Sequence, residues 1–121
     1  MPAPSSSSAG ATYLDRERRI DEVRRAARRA AARLPSVRRM LLFGSLQTGG
    51  ATPRSDADIL VVLEDSTLAD PRGHIPEVLR AMAPLPCPVD LFLITVGGLE
   101  RAQHENSALA RLALSTGIDL L

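Results

Sequence analysis

The chain has 121 residues, 45% hydrophobic, 24% charged and 2% aromatic, with a formal net charge of +1. That is one domain's length, enough to bury roughly two-thirds of the unfolded surface. The near-neutral charge excludes a global electrostatic pull toward nucleic acid, and so few aromatics argue against a base-stacking platform, so direct nucleic-acid binding is not expected.

Residues 1–12, rich in Ser, Ala and Pro, have neither a basic start nor an apolar stretch. They are expected to be a disordered tail, neither signal peptide nor membrane anchor, ahead of a domain over 13–121. From Leu14 to Leu34 the pattern is helical: Ile20, Val23, Ala27, Ala30, Ala31 and Leu34 recur at helix spacing while Arg fills the rest, and Pro35 stops it. The acids Asp15, Glu17, Asp21 and Glu22 sit at its front and pair with neighbouring arginines. Beyond Arg24 the acids end, so that half reads as a solvated face with a capacity for an acidic partner.

Val37–Phe43 reads as a strand, Gly44–Gly50 as a turn with one helical turn, and Ala51–Ser55 as a loop. Ile59–Leu63 is apolar on both faces, as in a covered central strand. A loop from Glu64 to Gly73, a short helix over Ile75–Met82 and a Pro-rich connector lead to a strand over Val89–Thr95, which Gly97 and Gly98 break. Leu99–Ser115 forms one or two helices, Gly117 caps them, and Ile118–Leu121 adds an edge strand. Helices alternating with strands give an α/β or α+β class with a short mixed sheet flanked by helices. No apolar run approaches the ~18 residues that span a bilayer, and the lone Cys87 forms no internal disulfide, which fits a reducing cytoplasm.

The chemistry concentrates in Gly44-Ser45, ten residues, then Asp56-Ala57-Asp58 opening an apolar run. Aspartate is disfavoured in strands, yet two stand two apart, on one face by strand alternation. Two carboxylates on one face repel each other unless a cation lies between them, and magnesium takes oxygen ligands while leaving positions for phosphate. Gly44 and Ser45 can open a helix whose N–H groups, with the hydroxyl, hold phosphate oxygens. Asp90, inside Val89-Asp90-Leu91-Phe92, is expected on the adjacent strand and the same face, with Phe92 and Ile94 continuing that face into the core. A P-loop is excluded because Gly50 follows Gly49 and the chain has no Lys. His74 and His104 lack partners at ligand spacing and read as surface residues, and Cys87 reads as a structural thiol.

These residues resemble the DNA polymerase beta-type nucleotidyltransferase superfamily, and most closely its minimal nucleotidyltransferases. The signature of Gly-Ser, ten residues, Asp-x-Asp and a later strand Asp is matched by Gly44-Ser45, Asp56-Ala57-Asp58 and Asp90, and Gly49 and Ser55 stand where relatives carry Gly and Ser. Leu46 and Thr48 occupy positions where relatives often carry Arg or Tyr and then Arg.

The resemblance implies transfer of a nucleoside monophosphate, AMP from ATP, to a hydroxyl. In it Asp56, Asp58 and Asp90 are the catalytic carboxylates and hold two Mg2+ ions, with Mn2+ as a substitute, while Gly44, Ser45 and Ser55 bind the nucleotide. It further implies an antitoxin whose partner is a HEPN-domain ribonuclease toxin, and it leaves room for a homo-oligomer. Two other readings accompany it: a non-catalytic module neutralising the toxin by contact, and transfer to a small molecule of the aminoglycoside type.

Overall fold

The computed structural model describes residues 4–44, 57–65 and 70–121, with side chains from Arg16 on. The predicted turn after Gly44 and the loop over Ala51–Ser55 lie outside the described residues. The elements run α1 (Pro4–Arg33), β1 (Val37–Phe43), β2 (Ala57–Leu63), a 3-10 turn (Pro71–His74), α2 (Ile75–Met82), β3 (Val89–Thr95), α3 (Val96–His104), α4 (Ala108–Thr116) and β4 (Ile118–Asp119). The fold is α+β: a four-stranded mixed sheet with helices on both faces.

The strand order is β3-β2-β1-β4. β1 runs antiparallel to both β2 and β4, while β2 and β3 are parallel, joined by a crossover that contains α2. The two-residue period of β2 divides the core. Ala57, Ile59, Val61 and Leu63 pack beneath α1 and α2 with Ile20, Val23, Ala27, Ala30, Val78 and Met82. Leu60 and Val62 pack on the opposite face with Leu41, Phe43, Leu99, Ala110 and Ala113, beneath α3 and α4. Every apolar side chain of β2 is buried, and each large one contributes about 1.5–3 kcal/mol. The alanines Ala26, Ala27 and Ala30 on α1 are fully buried and let the helix lie close to its neighbours.

Two helices start earlier than the sequence reading. The α1 backbone is helical from Pro4, ten residues before the expected start, and Pro suits a helix's first position. β3 ends at Thr95 ahead of Gly97 and Gly98, as read, but the next helix starts at Val96 rather than Leu99, so the two glycines form the first turn of α3. There the Thr95 Oγ1 accepts the Gly98 N–H at 3.0 Å and the Asp65 carboxylate accepts the Gly97 N–H at 2.8 Å. A Cβ on Gly97 would stand 2.9 Å from that carboxylate, so the glycine serves close capping, a role that outweighs its poor helix propensity. The one or two helices read over Leu99–Ser115 are two, because Asn106 takes a positive φ of 57° and Ser107 caps α4.

The arginines of α1 are largely spent within the molecule. The Arg29 Nε and Nη2 donate to the Met82 carbonyl at 3.2 and 2.9 Å, and Nη2 also donates to the Pro84 carbonyl at 2.7 Å. Arg33 donates to the Ala81 carbonyl at 3.1 Å, and Arg19 to that of Pro86. These carbonyls end α2 and begin the connector, where the helix dipole is negative and the last carbonyls have no intrahelical partner. The half of α1 read as open to an acidic partner therefore serves in part as the C-terminal clamp of α2.

Replacing Arg29 with Ala should lower stability by about 1–2 kcal/mol, a melting shift of roughly 5 °C, because charged hydrogen bonds to buried-end carbonyls are lost. Arg29→Lys should recover only part, since an ammonium lacks the planar fork. Arg25→Ala and Arg28→Ala, at exposed positions, should shift stability by less than about 0.5 kcal/mol. Equal losses at Arg25, Arg28 and Arg29 in thermal melts would contradict the clamp.

Candidate active site

The sheet's central register brings the candidate residues together. β2 opens at Ala57, so Asp58 is its second residue, half-buried, between Phe43 of β1 on one side and Asp90 of β3 on the other. Ala57 and Ile59 point to the α1 face, so alternation turns Asp58 to the α3/α4 face. Val89 and Leu91 likewise pack toward α1, which turns Asp90 to the same face as Asp58. Registered residues of adjacent strands stand about 5 Å apart, close enough for two carboxylates to face one ion.

Asp90 is exposed because β3 is the edge of the sheet, so the expectation of a high burial cost does not apply: its carboxylate stays in water. Phe92 also departs from the expected core position. It is 39% exposed, with its ring against that of Phe43, centroids 5.6 Å apart and planes at 53°. Ile94 does join the core beneath α3.

Gly44 stands where β1 ends, one residue past the Phe43 that faces Asp58. Its φ is +86°, the left-handed region where a side chain is strained. A Cβ there would also collide with Oδ2 of Asp58, with Cγ at 3.2 Å. Two independent reasons therefore demand glycine: the chain must turn sharply, and the Asp58 carboxylate lies directly on its backbone. This joins the turn to the carboxylate pair in space.

Of the other predicted site residues, Ser45, Ser55 and Asp56 lie outside the described residues. Among the described residues no three His, Cys, Asp or Glu side chains converge as a metal cluster, so Asp58 and Asp90 supply two carboxylates and Asp56 is the neighbouring candidate for a third. Two oxygen-donor carboxylates on one face at an open sheet edge suit a hard cation that keeps other positions for phosphate or water. The histidines take no part: His104 is exposed, and the Nδ1 of His74 lies 3.2 Å from Glu77. Cys87 is a buried free thiol. None of the helices among the described residues is long and apolar enough to cross a membrane.

The contact between Gly44 and Asp58 is measurable by a double-mutant cycle. Gly44→Ala should cost about 1–2 kcal/mol from φ strain alone, and more while the carboxylate is present. In an Asp58→Ala background the nearest remaining side-chain atom is Cβ at 3.4 Å, an ordinary contact, so the cost should fall by on the order of 1 kcal/mol. Equal costs in both backgrounds, read from urea melts, would show that the carboxylate does not rest on Gly44.

Comparison with known proteins agrees with this geometry. No curated protein matches the sequence. Among solved structures, a candidate nucleotidyltransferase from Sulfolobus solfataricus superposes with a TM-score of 0.63 at 18% identity, over 89% of this chain and 84% of that one. At that identity the likeness establishes the shared fold. The family model for the nucleotidyltransferase domain matches residues 23–112, which takes in Gly44, Asp58 and Asp90 together with the Ser45 and Asp56 positions of the signature. By that match across most of its length, this chain belongs to the nucleotidyltransferase domain family.

Proposed function

We propose that this protein transfers a nucleoside monophosphate, AMP from ATP, to a hydroxyl group of a partner protein. The observation that carries the proposal is the registration of Asp58 with Asp90 on adjacent strands, with the Asp58 carboxylate resting on the Gly44 turn. Membership of the nucleotidyltransferase family supports nucleotidyl transfer in general.

In this reading Asp56, Asp58 and Asp90 hold two magnesium ions, which when bound neutralise charge on the triphosphate and on the departing pyrophosphate. Gly44, Ser45 and Ser55 receive the terminal phosphates on backbone N–H groups and hydroxyls. Asp90, exposed at the edge, takes the proton from the acceptor hydroxyl. The acceptor oxygen bonds to the α-phosphorus, the bond from that phosphorus to the α–β bridging oxygen breaks, and pyrophosphate leaves.

The partner consistent with the resemblance is a HEPN-domain toxin, with this chain as its antitoxin. Labelling from ATP carrying a radioactive α-phosphate, with and without that partner, tests it. Label on the partner that vanishes with Asp58→Ala supports transfer. Neutralisation of the partner by parent and Asp58→Ala alike, without label, would replace transfer with inhibition by contact.

Binding is tested separately. Mg2+ or Mn2+ together with ATP should raise the melting temperature more than either alone, since a ligand at ~100 times its Kd adds about 2.7 kcal/mol. Asp58→Ala and Asp90→Ala should each remove most of the joint shift. Asp90→Ala should leave the melting temperature of the protein alone nearly unchanged, because its side chain is exposed. A joint shift surviving both substitutions would place the site elsewhere.

A further inference from the structure

Two strands end the sheet, and they are not alike. β4 is two residues long, and shortness protects an edge. β3 is seven residues long, and none of them is buried although Val89, Leu91, Phe92, Leu93 and Ile94 are apolar. Asp90 is its one charge. The strand has no Lys, internal Pro or register break to blunt pairing along its outer side.

The ladder with β2 fixes which backbone groups are spent. The Ala57 N–H donates to the Pro88 carbonyl at 2.9 Å, and in a parallel pair such bonds recur at every second residue. Asp90, Phe92 and Ile94 therefore turn their N–H and C=O groups toward β2. Val89, Leu91 and Leu93 turn theirs outward, together with the Thr95 N–H. The 3-10 turn lies beside β3, yet among the described residues no backbone bond reaches these outward groups.

These groups match those of an identical strand. Phe92 is the middle residue of β3. A two-fold axis through Phe92, normal to the sheet, lays a second β3 antiparallel to the first. Leu91 of one copy and Leu93 of the other then exchange both bonds on each side of the axis. The Thr95 N–H meets the Val89 carbonyl of the other copy at each end. Phe92 falls on a non-hydrogen-bonded pair, where side chains stand closest. Asp90 falls opposite Ile94, so no like charges oppose one another. An axis at Asp90 would set two carboxylates together, and one at Leu91 or Leu93 would shorten the overlap.

We infer that β3 pairs with β3 of a second copy about Phe92, joining two four-stranded sheets into one continuous sheet. The Phe92 rings, 39% exposed and each tilted against Phe43, meet at the axis and cover one another. An axis normal to the sheet preserves its faces. Both carboxylate corners therefore open on the same side, with the two Asp90 backbones roughly 14 Å apart.

The test uses the full chain without nucleotide or metal, so its outcome is separate from that of the proposed transfer. Sedimentation velocity across the micromolar range should show a monomer–dimer equilibrium, as suits so narrow a strip of contact. Phe92→Lys sets two ammonium groups at the axis. It should weaken association on the order of tenfold or more, with the thermal melt of the dilute monomer close to the parental one. Phe92→Cys should form an intermolecular disulfide under mild oxidation, because the paired Cα atoms stand about 4.5 Å apart. Leu93→Cys should not, since its two copies would stand roughly 8 Å apart. The native Cys87 is buried in both variants' parent. A parent that stays monomeric throughout the range overturns the inference. So does a dimer that survives Phe92→Lys unweakened, since the copies would then meet elsewhere. Cross-linking of Leu93→Cys as fast as Phe92→Cys overturns it too, because the register would be wrong.

Discussion

Everything at the candidate site depends on the register of β2. This strand is central, covered on both faces, and pinned by an antiparallel neighbour on one side and a parallel neighbour on the other. A slip by one residue would carry Asp58 from the α3/α4 face into the apolar layer under α1, and would bring Ile59 and Val61 out of it. Burying an unpaired carboxylate there costs several kcal/mol, and the exchanged side chains would have to repack in layers shaped for others. The same hydrophobic alternation that builds the core therefore holds Asp58 opposite Asp90 and against Gly44.

That arrangement explains why the reactive groups sit at strand ends on the sheet's open edge. The core needs β2 apolar along its length, so polar groups are tolerated only where the strand begins. Asp58 is the second residue of β2 and Asp90 the second of β3, and in a parallel pair both beginnings lie at the same end. Gly44 reaches that end because β1 runs antiparallel and finishes there. Two parallel strands and one antiparallel strand thus converge on one corner, with Asp90 and Phe92 facing solvent at its rim.

The opposite face supplies support rather than chemistry. Arg29 and Arg33 of α1 hold the carbonyls at the end of α2, and the connector after it leads into β3. The clamp fixes where the crossover ends, and hence where Asp90 begins its strand. The Arg38 pairing with Glu64, at 2.9 Å, lies at the far end of the sheet and is exposed, so it adds little.

Much of this was legible from the chain alone. Val37–Phe43, Ile75–Met82 and Val89–Thr95 are bounded by Pro, Gly and clear hydrophobic periods, and their limits emerge as read. The spacing of Gly44-Ser45, Asp56-x-Asp58 and Asp90 resembles the nucleotidyltransferase signature, and that resemblance pointed to the fold. What failed had long-range causes. Gly97 and Gly98 end β3 as read, but the Asp65 carboxylate, distant in sequence, caps them into the first turn of the next helix, ahead of the Leu99 start expected from the sequence. The arginines of α1 form a solvated face by periodicity, yet carbonyls some fifty positions away claim Arg29 and Arg33. Phe92 follows the core pattern of its strand, but β3 lies at the sheet's edge and leaves it open. Periodicity and turn chemistry act between near neighbours, so the sequence by itself determined the elements, the family signature and the two-residue alternation that aims each carboxylate. Only the tertiary structure decided which strands are neighbours and which strand forms the edge. Those choices follow from burying all the apolar faces at once, and no local pattern encodes that condition.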